Sequence, residues 1–296
     1  MKKIPITVIL GPTASGKTEY AICLAKKTNS IVINADSRQI YKEISIGTAK
    51  PKLTIKNGSL FLGDVEHFGF DLISIFEENN FNAIDFANYF HKCIEKALNL
   101  KKNIILTGGT GFYISACLFN FAKIPDIPDD IRENVRHIVR EKGKDFSLKL
   151  LRSMDNETIL DEKNPVKIAR ALEVFLYTKK TLKFWQEKTK IDETKFDINF
   201  LALDLEREAI YDRINKRFDK MIENGLIVEA EFLYKKGFKD EKLLKFGIGY
   251  SEMIDFLTKK ISLLEAKTLA KQKTRNYAKR QLTWIRRYKN ISWIKI

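Results

Sequence analysis

The chain has 296 residues, 44% apolar and 31% charged, enough for a large α/β core or a core with a second lobe, and is not disordered by composition. Lys and Arg number 53 against 38 Asp and Glu, and the net charge of +15 points to an anionic partner: nucleic acid, a phosphorylated metabolite or a lipid surface. Cys23, Cys93 and Cys117 lack a CxxC, His67, His91 and His137 lack metal-ligand spacing, and no apolar stretch approaches the ~18 residues of a bilayer span, so a disulfide framework, a zinc site and a membrane protein are all disfavoured and a cytoplasmic protein is expected.

Ile4–Leu10 reads as a buried strand, too short and too abruptly ended by Gly11-Pro12 to be a signal peptide. A glycine-rich loop over Gly11–Thr18 leads into a helix reaching about Lys27. Ile31–Asn34 is a second strand, Phe70–Ile75 a weaker one, and Asn103–Leu106 another. Between them Phe81–Leu100 has helical periodicity, with Ile84, Ala87, Phe90, Ile94 and Leu98 along one side. Alternating strands and helices predict an α/β fold with a parallel sheet covered on both faces, its sites beyond the carboxyl ends of the strands.

From about Phe119 the character changes. Ile124-Pro-Asp-Ile-Pro128 punctuates the chain, and the stretch from there to about Lys195 reads as charged helix without a convincing strand. Strand character returns at Asn199–Leu205, a long helix is expected over Leu263–Tyr288, and a last strand over Ile291–Ile296. The expected organisation is a core in two parts, residues 1–119 and 196–296, interrupted by a helical insertion at 120–195.

The run Gly11-Pro12-Thr13-Ala14-Ser15-Gly16-Lys17-Thr18 fits GxxxxGK[ST] between a strand and a helix, the context of a P-loop and an ATP-binding-type motif. Its amides and the helix start can face phosphate oxygens, Lys17 adds positive charge, and the Thr18 hydroxyl can ligand Mg²⁺. The second strand ends in Asp36, read either as a cap of the following turn or as a proton acceptor beside the phosphates. The strand Ile104-Ile105-Leu106 ends in Thr107-Gly108-Gly109-Thr110, without the carboxylate that an ATP-hydrolysing P-loop protein usually places near its metal.

Arg213 and Arg217 stand i,i+4 on one helix, able to share an anion. Lys267, Lys271, Arg275 and Lys279 recur every four residues, followed by Arg280, Arg286 and Arg287, with Tyr277 and Trp284 among them. That pattern suits either nucleic acid or a solvated helical face. Arg132, Arg136 and Arg140 form a similar row.

Together with Asp36-Ser-Arg-Gln-Ile-Tyr41, Ile46-Gly-Thr-Ala-Lys-Pro51, Gly108-Gly-Thr-Gly-Phe-Tyr113, Arg170-Ala-Leu-Glu-Val174, Ile248-Gly-Tyr250 and Thr274-Arg-Asn-Tyr-Ala-Lys-Arg-Gln-Leu-Thr-Trp284, the P-loop makes an ordered series from residue 11 to 284. In this series the chain resembles the tRNA dimethylallyltransferases (tRNA isopentenyltransferases) of bacterial type. The resemblance implies a nucleotide-kinase-like P-loop core that binds dimethylallyl diphosphate in place of a nucleotide. It implies transfer of the five-carbon group, with Mg²⁺, to N6 of the adenine 3′ of the anticodon in tRNAs reading codons that begin with U. Asp36 is then the general base, with Lys17 and Thr18 assisting the leaving diphosphate, and Thr13 and Arg217 touch that group. The family match sets Asp36, Ser37, Arg38, Gln39, Thr110, Arg132, Lys167, Arg170 and Tyr250 against the anticodon stem-loop; Arg275 and Arg280 join them from the basic helix. A monomer is expected.

The chain departs from the family pattern at His67-Phe68-Gly69-Phe70-Asp71, where a His-His pair before an Ile-Asp is common, and at Asn164-Pro-Val-Lys167-Ile-Ala-Arg170, where an Asn-Asp and paired arginines are frequent. The competing readings are a P-loop kinase of a nucleotide or small metabolite and a non-catalytic RNA-binding protein.

Overall fold

A computed structural model describes residues 3–77, 81–120, 124–188, 190–191, 195–238, 243 and 246–296. Its eight-stranded sheet runs in the order β10 (Ile291–Lys295), β9 (Phe196–Asp204), β1 (Ile4–Leu10), β6 (Asn103–Thr107), β2 (Ser30–Asn34), β5 (Val65–Phe68), β4 (Ser59–Leu62) and β3 (Thr54–Lys56). The first six are parallel, and β4 and β3 extend them as antiparallel strands, so the sheet is mixed rather than wholly parallel. β2 is buried along its whole length, as a central strand covered on both faces must be.

The strand expected at Phe70–Ile75 is a single bridge, Ile73 to Tyr41; β5 lies just before it. The chain breaks at Gly69, whose φ of +85° lets the backbone press so close to Asn34 that a Cβ would lie 2.2 Å from its carbonyl oxygen. The β3–β4 turn is Asn57-Gly58, both residues at positive φ, the conformation that a two-residue hairpin requires.

Helix α1 (Lys17–Thr28) follows β1, α2 (Ala83–Asn99) precedes β6 and α3 (Gly111–Leu118) follows it. A reciprocal cap starts α2: Asn82 Oδ1 accepts from Ile84 N at 2.8 Å, and Asp85 Oδ2 accepts from Asn82 N at 2.9 Å. Register sets Thr107 beside both Ile9 and Asn34, so the loops after β1, β2 and β6 open at one edge of the sheet.

Contacts divide the chain into two units, residues 1–117 with 193–296, and residues 118–192. The second contains α4 (Asp129–Met154), α5 (Pro165–Thr178) and α6 (Leu182–Glu187), with Val135, Leu151, Ile168, Ala171 and Leu172 as its buried centre. Although it reads as helix throughout, it also holds a two-residue antiparallel ladder of β7 (Phe119–Asn120) and β8 (Lys190–Ile191). In the first unit, α7 (Arg207–Glu223), α8 (Leu226–Lys235), α9 (Tyr250–Leu257) and α10 (Leu263–Ile285) follow β9. Phe218, Met221, Leu226, Tyr250, Met253 and Ala270 form a core among these four helices.

Candidate active site

The P-loop is curled by Ala14 at φ +64° and Gly16 at φ +89°, and Lys17 opens α1. Ser15 is fully buried, and its Oγ lies 2.6 Å from where a Cβ on Gly11 would stand, so only glycine fits at the loop's first position. Lys17 Nζ donates to Pro12 O at 2.8 Å. Burial lowers its pKa to about 8, against the pull of Asp36; Arg217 lowers it further and Glu19 opposes. Two arginines of α7 brace the same loop: Arg217 Nη2 donates to Thr13 Oγ1 at 2.6 Å, and Arg213 Nη1 to Ser15 O at 3.4 Å. The loop thus has cations in place before any anion arrives, which lowers the reorganisation cost of binding one.

Asp36 lies in the loop after β2. Its Oδ1 accepts from Arg38 N at 2.9 Å, which closes an Asx turn and fixes the carboxylate's direction. Thr110 Oγ1 accepts from Ser37 N at 2.9 Å and donates to Ser37 Oγ at 3.0 Å, tying this turn to the loop after β6. Asp36 Oδ2 is 2.9 Å from the position of a Cβ on Gly109.

The basic helix closes the site by a route other than its charge. Gln281, on α10, accepts from Thr13 N and donates to Gly109 O, both at 2.8 Å, and Tyr277 OH donates to the same carbonyl at 3.0 Å. Burial and the neighbouring Asp36 push the Tyr277 hydroxyl up, so it remains a donor. These loops and helices enclose a cavity of about 900 Å³. Cationic and acidic groups line part of it (Lys17, Asp36, Arg38, Arg213, Arg217 and Arg280), while Ile214, Phe218, Met221 and Ile248 supply apolar wall.

Thr13 to Thr18, Asp36, Arg38, Gln39, Arg217 and Arg280 therefore border one cavity. Gly11 and Pro12 complete the loop behind it, and Ser37 and Thr110 are engaged with each other beside it. Tyr250 is elsewhere: it is fully buried, and its hydroxyl donates to Glu229 Oε1 at 2.7 Å, so its side chain is part of the core rather than an RNA-facing surface. Arg275 is turned against α7, its guanidinium donating to Asn215 Oδ1 at 2.9 Å and to Gln272 Oε1 at 2.7 Å. Lys267 and Lys271 of the same row both pair with Asp219, at 2.8 and 2.7 Å, so this part of the stripe is an inter-helix contact.

Arg132, Lys167 and Arg170 belong to the 118–192 unit. Lys167 and Arg170 are exposed, and Arg170 Nη1 reaches Glu173 Oε2 at 3.4 Å. Arg132 Nη1 lies 3.8 Å from Asp129 Oδ1, and its buried Nε is without a hydrogen-bond partner. Sequence reasoning missed Gln281 and Gly109 as site residues, whereas Arg213 stands beside Arg217 as its i,i+4 spacing suggests. The i,i+4 spacing of Tyr277 with Gln281 was the available signal for Gln281. Among the described residues no three His, Cys, Asp or Glu side chains gather where they could hold a metal ion; the Thr18 hydroxyl, which borders the cavity, is of the oxygen type that a hard divalent cation takes.

Residues 39–288 match the family model described as IPP transferase. A tRNA dimethylallyltransferase of Acetivibrio thermocellus is 37% identical over 292 residues, covering 98% of this chain and 91% of the relative. One from Bacillus anthracis is 35% identical over 299 residues, covering 100% and 92%. Among solved structures, the tRNA isopentenylpyrophosphate transferase of Bacillus halodurans is similar at 32% identity and a TM-score of 0.68, over 99% of this chain and 90% of that one. A eukaryotic dimethylallyltransferase caught acting on tRNA is similar at 26% identity and a TM-score of 0.77, over 99% of this chain and 74% of that one.

Proposed function

The chain belongs to the IPP transferase family, and on that premise we propose that it is a tRNA dimethylallyltransferase, moving the five-carbon group of dimethylallyl diphosphate to N6 of the adenine 3′ of the anticodon in tRNAs that read codons beginning with U. The observation that carries this reading is the shared cavity: a P-loop braced by Arg213 and Arg217 faces the same space as the Asp36 carboxylate, and the end of β6 and the loop after it bring Thr107, Gly108 and Gly109 there instead of an acid.

In this reading the diphosphate rests on the loop amides and the start of α1, with Lys17, Arg213 and Arg217 around it. An exocyclic adenine amine is a poor nucleophile, because its lone pair is delocalised into the ring. Asp36 accepts the N6 proton as the new C–N bond forms at the allylic carbon. The C–O bond to the diphosphate breaks in the same step, and the cations of the loop and α7 are already placed for the charge that gathers on the leaving oxygens. Thr18, with the leaving group's own oxygens, would hold Mg²⁺, which when bound supplies further positive charge there.

The adenine has to leave its stack in the anticodon loop to reach Asp36, and Arg38, Gln39 and Arg280 border its destination. Lys167 and Arg170 are exposed cations of the helical unit that suit contact with the tRNA backbone, and Arg132 is assigned to the same partner. The enzyme is proposed to act as a monomer in the cytoplasm.

Incubation with labelled dimethylallyl diphosphate, Mg²⁺ and unmodified tRNA tests the reading, with label expected on one anticodon-loop adenine. Absence of transfer to every tRNA that reads U-initial codons refutes it. ATP-dependent phosphorylation of a small molecule, with indifference to the allylic diphosphate, would support the kinase alternative.

A further inference from the structure

The segment 45–49 forms part of the cavity wall through Gly47, Thr48 and Ala49, and it is held from behind by one carboxylate. Glu229, on α8, accepts five hydrogen bonds that converge from two elements, the longest of them from Ser45 Oγ to Oε2 at 3.5 Å. Its Oε2 takes Ser45 N at 2.8 Å and Ile46 N at 3.0 Å; its Oε1 takes Gly47 N at 2.8 Å and Tyr250 OH at 2.7 Å. Three consecutive amides on one carboxylate make a nest, the arrangement in which a loop is fixed by a negative charge rather than by its own turns. The fit is close: a Cβ on Gly47 would stand 2.5 Å from Tyr250 Cζ.

The held segment in turn holds the loop of Asp36. Gln39 Nε2 donates to Thr48 O at 2.9 Å and to Ala49 O at 3.1 Å, and Gln39 N donates to Asp36 O at 3.2 Å. Within the turn so anchored, Arg38 N gives the 2.9 Å hydrogen bond that directs Asp36 Oδ1. A continuous chain of hydrogen bonds thus runs from Glu229 through the 45–49 segment and Gln39 to Asp36. The P-loop is braced separately, by Arg217 and Gln281.

We infer that Glu229 is a positioning residue for Asp36, acting through the 45–49 segment; the inference rests on the role given to Asp36 in the proposed function. Glutamine is nearly isosteric at this position but has one acceptor oxygen, and its amide would set N–H against N–H among donors that all point inward. Glu229→Gln therefore frees the nest without emptying space in the core.

The test pairs steady-state transfer of the dimethylallyl group with hydrogen exchange of the free enzyme. In Glu229→Gln, kcat is expected to fall about 10- to 100-fold, the cost of an ångström-scale misplacement of a reacting group. KM for dimethylallyl diphosphate should stay within about twofold, because the P-loop contacts are untouched. Peptides covering residues 36–50 should lose exchange protection together, while those covering 11–18 keep theirs. Tyr250→Phe removes one of the five donors and should move kcat and exchange in the same direction by less, and it decides the matter if Glu229→Gln does not fold.

An unchanged kcat in the folded variants overturns the inference. So does loss of protection at 45–49 with none at 36–39, which would reduce Glu229 to a local support. If the wild-type enzyme transfers no dimethylallyl group, the functional reading fails on that result, while the exchange measurement still judges the coupling.

Discussion

Gln281 Oε1 accepts from Thr13 N at 2.8 Å, joining residues 268 positions apart in sequence. The same side chain donates to Gly109 O at 2.8 Å, so one amide of α10 ties the P-loop to the loop after β6. Gln281→Ala leaves the Thr13 amide without its partner and Gly109 O with Tyr277 alone, at a cost of about 1–3 kcal/mol where water does not replace the amide. A thermal melt is expected to fall, and kcat/KM for dimethylallyl diphosphate to fall with it. Gln281→Glu keeps the acceptor for Thr13 but loses the donor and adds negative charge near Asp36. It should therefore melt closer to wild type than Gln281→Ala yet transfer more slowly, a separation that steady-state kinetics on the two variants would reveal.

Gly109 gives a sharper probe of Asp36, because a Cβ there would lie 2.9 Å from Asp36 Oδ2. Gly109→Ala must displace that carboxylate or the loop. The expected outcome is a fall in kcat of about 10- to 100-fold, of the order a misplaced general base produces, with tRNA affinity within about twofold of wild type. Asp36→Asn should lower kcat at least as far, since it removes the acceptor itself. Equal losses of kcat and of tRNA affinity in a filter-binding assay would make Asp36 a binding group instead.

Lys17 sets a pH dependence whose sign is fixed by its burial. Its pKa is about 8 in the folded protein against 10.5 for a free lysine. Below about pH 8 the side chain is charged in folded and unfolded states alike. Between about pH 8 and 10.5 the folded protein has released a proton that the unfolded chain retains, so this group's contribution to stability rises with pH through that window. Diphosphate binding runs the other way, because it favours charged Lys17 and must recover the proton. The Kd for dimethylallyl diphosphate should be flat below about pH 8 and weaken by up to about tenfold per unit above it. Calorimetry in two buffers of different ionisation enthalpy would detect the proton uptake. Lys17→Arg, charged throughout, should bind less well at neutral pH and lack the alkaline limb.

What could be read in the sequence depended on how local the cause was. The strands that became β1, β2 and β6 are short apolar runs beside turn residues, and the P-loop declares itself by glycine and lysine spacing, so these elements and the residues directly after them were legible. The β3–β4 hairpin carried a local signal too, Asn57-Gly58, but Thr54–Lys56 is wholly exposed and lacks an apolar face to mark it. Tyr250 could not be placed from its motif, because its burial depends on Gly47 and Glu229, both distant in sequence. The same holds for the C-terminal row. Four-residue spacing puts Lys267, Lys271 and Arg275 on one face, but only packing against α7 supplies Asp219 and Asn215 as their partners.

That packing divides the basic helix into cations already spent and a cation that faces the cavity, and salt dependence separates the two. Arg280 borders the cavity and lies 5.7 Å from the Tyr277 ring centroid, a setting in which its charge remains available to a phosphate or a base. Each phosphate contact releases counterions, so Arg280→Ala is expected to weaken tRNA binding and to reduce the slope of log K against log salt by about 0.7–1. Lys271→Ala removes a charge whose partner is Asp219 at 2.7 Å, on a half-exposed surface where such a pair adds little stability. It should leave both the salt slope and the affinity near wild type, although it lowers the net charge by as much as Arg280→Ala does. Titrations of one tRNA at several salt concentrations with both variants check this. Equal slopes for the two would mean that the protein attracts RNA through its overall charge and that the cavity-facing arginine makes no contact of its own.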